Sequence, residues 1–203
     1  MPLWGLTGGI ASGKSTVHKM LAKRGAQLID ADAVYHRLIQ PTDGAASPLA
    51  RRIEERFSGV LNPDGTLNRQ ALGERVFRDE NERRILEQLT HPAVAEAVGA
   101  AVQAMQAEGV EHVFYDVPLL YERGLESGMA GVVVVWVPPH IQLERLIQRD
   151  GLSAKDAQRR IGSQMPLDEK RERADWVIDN SGSLEDTDAQ VEALWTRLSE
   201  KMP

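Results

Sequence analysis

Gly8-Gly9-Ile10-Ala11-Ser12-Gly13-Lys14-Ser15-Thr16 follows directly on a short apolar run, Leu3-Trp4-Gly5-Leu6, and fits the pattern G-x-x-x-x-G-K-[ST]. Glycines at these positions let a tight loop turn its backbone N–H groups inward around phosphate oxygens, where side chains would obstruct. A helix starting near Gly13 adds its positive dipole end and its unpaired N–H groups to the same place. Lys14 then reaches β- and γ-phosphates, and the Ser15 hydroxyl can ligate Mg²⁺. The stretch predicts strand, loop and helix in that order, and a nucleoside triphosphate as ligand. Gly8, Gly9, Ala11, Ser12, Gly13, Lys14, Ser15 and Thr16 are its candidate nucleotide contacts.

Outward from the loop, the apolar stripe Val17, Met20, Leu21 marks a helix that stops near Gly25. Gln27-Leu28-Ile29 is a short strand that delivers Asp30-Ala31-Asp32 to the sheet edge where ligands bind in open α/β folds. Two carboxylates at i and i+2 need not point the same way. One can accept a proton from a substrate hydroxyl and the other can hold a water of the Mg²⁺ shell; a helix N-cap is the plainer role. No strand is evident over 47–105, where Val94, Ala97, Val98, Ala101, Val102 and Met105 form a helical stripe with Pro92 in its expected first turn. That block is too long for an ordinary crossover. Strands resume at 112–116 and 132–137, and Trp176-Val177-Ile178 is the last. Alternating strands and helices predict a parallel, doubly wound α/β sheet. The expected division is a nucleotide-binding core over 1–46 and 106–203 with a helical insertion over 47–105.

Asp116 ends an apolar strand, where a Walker-B acid supports Mg²⁺ and a strand-end cap is the plainer alternative. No Asp-x-x-Gly starts at Asp116 and Asn-Lys-x-Asp does not occur in the sequence, which counts against a GTP-driven switch. Between positions 145 and 173 stand six arginines, at 145, 149, 159, 160, 171 and 173. They fit either a solvated helix face or a lid over the transferred phosphoryl group, led by Arg149 and Arg145. The formal charge of −6, from 24 basic and 30 acidic side chains, argues against general nucleic-acid binding. Absence of cysteine fits a reducing compartment. With a strand from the third residue and no apolar run long enough to span a bilayer, a cytoplasmic protein without leader or membrane association is expected.

Taken together, the motifs resemble the dephospho-coenzyme A kinase family. The carriers are the loop 5–16, with Ala11 where that family often has glycine, and Ile29-Asp30-Ala31-Asp32. They continue with Asn68-Arg69-Gln70-Ala71-Leu72-Gly73, Thr90-His91-Pro92, Asp116-Val117-Pro118-Leu119-Leu120-Tyr121-Glu122, and the Asn180-Ser181-Gly182 end of 174–182. The likeness spans nearly the whole chain in order. It implies a P-loop NTPase-type core, a helical insertion that binds the acceptor, and a lid over about 145–173. It implies ATP-dependent phosphorylation of the ribose 3′-hydroxyl of dephospho-CoA. Asp32 would be the base, Lys14 and Arg149 would act on the phosphoryl group, and Arg145 would contact the nucleotide. Arg69, His91 and Glu122 would hold the acceptor, and Asn180 would lie near adenine; Ser15, Asp30 and Asp116 would serve Mg²⁺. Alanine at position 11 is compatible if φ there is negative. Another small-molecule P-loop kinase and a non-catalytic nucleotide-binding module share part of this pattern, and the sequence leaves monomer or small homo-oligomer open.

Overall fold

The computed structural model describes residues 2–200. Its strands are β1 (Leu3–Gly8), β2 (Gln27–Asp30), β3 (Val113–Asp116), β4 (Gly131–Trp136) and β5 (Trp176–Asp179). Its helices are α1 (Lys14–Lys23), α2 (Ala31–Leu38), α3 (Pro48–Arg56), α4 (Arg69–Arg78), α5 (Glu80–Ala107), α6 (Pro139–Asp150), α7 (Ala154–Ile161), α8 (Leu167–Glu172) and α9 (Leu184–Glu200). The strands form one parallel sheet in the order β2-β3-β1-β4-β5, as the alternating pattern predicts. β1 is central, with Leu6 registered against Asp116 of β3 and Val133 of β4. The chain leaves β1 toward the β2 edge and later crosses to β4, so its direction of winding reverses at β1. A reversal of this kind opens a crevice at the carboxyl end of the strand, and there the phosphate loop begins.

The unbroken valines of β4 have a simple cause. Val133 and Val135 join Leu6, Val17, Leu21, Ile178, Val191 and Leu194 in one buried cluster under α1 and α9, while Val132 and Val134 are buried on the opposite face. A strand covered on both faces has no solvated side to carry polar residues. Each such valine contributes about 1.5–3 kcal/mol of transfer free energy.

The chain divides into two compact units: the described residues up to Leu28 together with those from Glu108 onward, and Ile29–Ala107. The sequence placed this division at 46/47; it falls at 28/29. The reason is packing, since α2 lies on α3 and α5, and Ile39 joins Leu49, Ile53, Phe57, Val60, Leu67 and Leu72 in the core of the helical unit. Side-chain caps start its helices: Asp30 accepts from the Ala33 amide at 3.0 Å, Ser47 from Ala50 at 3.1 Å and Asn68 from Ala71 at 3.0 Å. Pro92 departs from expectation. It lies inside the 28-residue helix α5 instead of opening a new helix. Proline there cannot donate to the Gln88 carbonyl and costs about 3 kcal/mol in a helix interior. Leu86, Leu89 and Ala93 pack on the unit's core on either side of it, and tertiary burial outweighs the local penalty.

Candidate active site

Helix α1 starts differently from the capped helices. Its N-cap is Gly13, at φ 87° and with no side-chain cap, so the first amides stay available for an anion. No other residue fits at Gly13, because a Cβ there would run into Asn180 Nδ2. Gly9, Ala11, Gly13, Lys14 and Ser15 line a cavity of about 470 Å³ together with Ile10, Pro118, Arg145, Arg149 and Gln164. Gly8, Ser12 and Thr16, also expected as nucleotide contacts, do not line it. The Ser12 side chain is fully buried, so nothing beyond its backbone can serve a ligand. The condition set for Ala11 also fails: its φ is +60°, in the left-handed region that disfavours a Cβ.

Lys14 makes an ion pair with Asp116 Oδ1 across the end of β3, and His18 Nδ1 lies 2.8 Å from Asp116 Oδ2. His18 stands one helical turn beyond Lys14, a spacing visible in the sequence but passed over there. Arg145 and Arg149, one turn apart on α6, both reach the cavity. Arg149 is at the same time paired with Asp150, Nε to Oδ1 at 2.7 Å. The other four arginines of the cluster do not line the cavity. Arg159 pairs with Asp156 and Arg160 with Asp150, while Arg171 stacks on Trp136 and Arg173 on Tyr121.

Two expected ligand contacts have structural jobs. Asn180 is buried, donates to the Ser12 carbonyl at 2.8 Å and accepts from the Thr187 hydroxyl at 2.9 Å. With both ends of its amide engaged it props the phosphate loop from beneath, and it does not line the cavity. Glu122 pairs with Lys170 at 2.8 Å and accepts from the Met165 amide at 2.9 Å. Lys170, fully buried and missed in the sequence, donates to the Pro118 carbonyl at 2.8 Å, and the Thr7 hydroxyl donates to that carbonyl at 3.1 Å. Burial pulls the Lys170 ammonium below its ordinary pKa, the Glu122 carboxylate opposes that, and the Lys14 charge adds to it. The pair therefore braces one wall of the cavity.

Within the helical unit, Asp30 spends Oδ1 on capping α2, while Asp32 is exposed in the first turn of that helix. Tyr35 lies three residues on and so shares a face with Asp32. Burial raises the pKa of the Tyr35 phenol and the charge of Arg69 opposes this. Tyr35 carried no signal in the sequence. His91 is partly buried on α5 beside Pro92.

Among the described residues no group of three or more His, Cys, Asp or Glu could form an all-protein metal cage. Mg²⁺ does not need one: it keeps several waters and takes one or two protein oxygens plus phosphate oxygens. The exposed Ser15 hydroxyl and the Asp116 carboxylate are oxygens of that kind, with Lys14 and His18 engaging the two Asp116 oxygens in this structure.

No described helix is long and apolar enough to cross a membrane. A sequence model of the dephospho-CoA kinase family matches residues 3–186. The dephospho-CoA kinase of Symbiobacterium thermophilum is 51% identical over 96% of this chain and 80% of its own length. Among solved structures, a Thermus thermophilus protein superimposes with a TM-score of 0.82 at 34% identity, covering 100% of this chain and 98% of that one. The dephospho-CoA kinase of Campylobacter jejuni does so with a TM-score of 0.73 at 30% identity, covering 98% and 97%. The chain belongs to the dephospho-CoA kinase family, phosphotransferases that phosphorylate dephospho-CoA to coenzyme A in the final step of coenzyme A biosynthesis.

Proposed function

We propose that ATP occupies the cavity at the phosphate loop and that its γ-phosphoryl group goes to the 3′-hydroxyl of the dephospho-CoA ribose. The observation that carries this reading is the convergence of an uncapped helix start, Lys14, Arg145 and Arg149 on one cavity. The bond between the γ-phosphorus and the bridging oxygen breaks, a bond to the 3′-oxygen forms, ADP leaves, and the hydroxyl proton passes to Asp32. Lys14 exchanges Asp116 for phosphate oxygens, and His18 keeps Asp116 oriented when it does. Arg145 and Arg149 face the charge that spreads over the transferred oxygens. Mg²⁺, held by Ser15 and Asp116 with the phosphates, would neutralise that charge further. Asp30, already a helix cap, is left at most a water-mediated part. Asp32, Tyr35, Arg69 and His91 belong to the acceptor side. Glu122 acts through Lys170 and Pro118, not on the acceptor. The segment 145–173 works as a lid that excludes water, and the absence of cysteine fits a cytoplasmic setting.

The test is phosphoryl transfer from ATP to dephospho-CoA, with the product's phosphate position read by ³¹P NMR. Asn in place of Asp32 keeps the shape but cannot take a proton at neutral pH. Asp32→Asn should lower kcat by about 10²–10⁴-fold, the usual worth of a general base, with ATP affinity unchanged. Parent-like turnover would return Asp32 to the role of a first-turn acid on α2.

A further inference from the structure

The left-handed residue in the phosphate loop is an alanine, not a glycine. At φ +60° the Cβ of Ala11 crowds its own backbone, so this conformation persists only if its surroundings impose it. The two peptide groups that precede Ala11 are both held by side chains remote in sequence. Gln142 Nε2 donates to the Ile10 carbonyl at 2.8 Å, and the Ile10 amide donates to Gln164 Oε1 at 2.8 Å. The Ile10 carbonyl lies in the peptide plane that sets φ of Ala11, and the Ile10 amide lies in the plane before it. The turn is also closed from within, the Ser12 amide donating to the Gly9 carbonyl at 3.1 Å, and fixing both planes adds to this by setting the approach to Ala11. Gln142 is 4% exposed and shares one face of α6 with Arg145 and Arg149, three and seven residues further on. Its amide lies so close over Gly9 that a Cβ there would collide with Nε2. Gln164, between α7 and α8, lines the cavity.

We propose that Gln142 and Gln164 are positioning residues. They clamp the two peptide planes of Ile10 and so hold Ala11 left-handed, keeping the loop shaped for phosphate before ATP arrives. Neither touches the reacting atoms. The clamp also ties the segment after α7 to the loop, so displacement of that segment loosens the loop. This inference rests on the reading that the loop holds ATP.

A double-mutant cycle separates the two. Parent, Gln142→Leu, Gln164→Leu, Ala11→Gly and the two doubles with Ala11→Gly are compared by calorimetric titration with ATP and with dephospho-CoA, after melting curves establish that each is folded. Glycine adopts the left-handed conformation without penalty and needs no clamp. In the parent background each Gln→Leu change should weaken ATP binding about tenfold, the cost of a left-handed L-residue left to relax. In the Ala11→Gly background the same change should weaken it less than about threefold. Dephospho-CoA affinity should stay within that factor throughout. Gln164 is only partly buried, so its variant keeps the test open if Gln142→Leu fails to fold. Equal losses in both backgrounds, or no loss in either, would overturn the clamp. Failure of parent and Ala11→Gly alike to bind ATP would instead overturn the reading of the loop.

Discussion

The phosphate loop and the helical unit satisfy their irregular backbone in opposite ways. Around the loop one backbone bond is local, from the Ser12 amide to the Gly9 carbonyl at 3.1 Å, but the side-chain partners are distant: Gln142 and Gln164 hold Ile10, and Asn180 holds Ser12, across 132, 154 and 168 positions of sequence. In the helical unit they are local. Glu54 accepts from the amides of Gly59, Val60 and Leu61 at 2.7, 2.8 and 2.8 Å, which holds its carboxyl below the usual range. Ser47 and Asn68 cap the helices that they begin. A local bond stabilises the segment that carries it. A distant one makes the shape of the site depend on the sheet and its covering helices staying in place. Substitutions in the helical unit should therefore be read mostly as stability, and those at the loop as ligand binding and rate at nearly constant stability.

The largest effect should come from the core of the helical unit. Phe57 is fully buried among Leu49, Ile53 and Leu72, and Phe57→Ala should cost about 3–5 kcal/mol of stability in chemical denaturation. ATP binding, measured by calorimetry at low temperature, should survive. Its loss along with stability would show that the two regions are not energetically separate.

Lys14→Ala is the converse case. Turnover should fall by at least about a hundredfold, near 3 kcal/mol of transition-state stabilisation, with the melting temperature almost unmoved. The variant leaves Asp116 with His18 as its remaining partner. Near-normal turnover in a folded variant would remove the loop from the mechanism.

Arg69→Ala tests the acceptor side. Arg69 is exposed on α4 and its charge is felt at Tyr35. Calorimetric titration should show dephospho-CoA binding weakened by about tenfold, as for a charged hydrogen bond, and ATP affinity within about threefold. Equal weakening of both ligands would erase the distinction between the regions.

The smallest effect concerns Tyr121, whose hydroxyl donates to the Arg173 carbonyl at 2.9 Å. Burial, with Asp175 adding to it, pushes this phenol up to about 12. The unfolded phenol loses its proton near pH 10, so the stability that this group supplies is complete below about pH 10 and is lost as pH rises toward 12. Tyr121→Phe should cost about 1 kcal/mol at neutral pH and flatten the fall of melting temperature across that alkaline window. An unchanged alkaline slope would assign the titration to other groups.

Several features were legible because their signals are local. The loop is defined by spacing within nine residues, and the strands by apolar runs that both faces of a covered sheet demand. The density of arginines over 145–173 was legible as well, with Arg149 and Arg145 put first but no local signal that set them apart from the other four. Asn180 was expected near adenine and Glu122 on the acceptor, and no local signal pointed to the buried contacts that they make. What each does depends on Ser12, Thr187 and Lys170, which the fold alone brings within reach. Pro92 was misplaced because its penalty is local while the burial that overrides it is tertiary.

The sequence by itself determined the chemistry: a phosphate-binding loop, a parallel sheet to carry it, carboxylates at the strand ends, and a helical block too long for a crossover. Each follows from residue type and short-range period. Only the tertiary structure decided the conformation of Ala11, the selection of two arginines out of six for the cavity, the Lys14–Asp116–His18 contacts, and the start of the helical unit at Ile29. Those outcomes are settled by groups that lie far apart along the chain and meet only when the sheet and the helices covering it are packed.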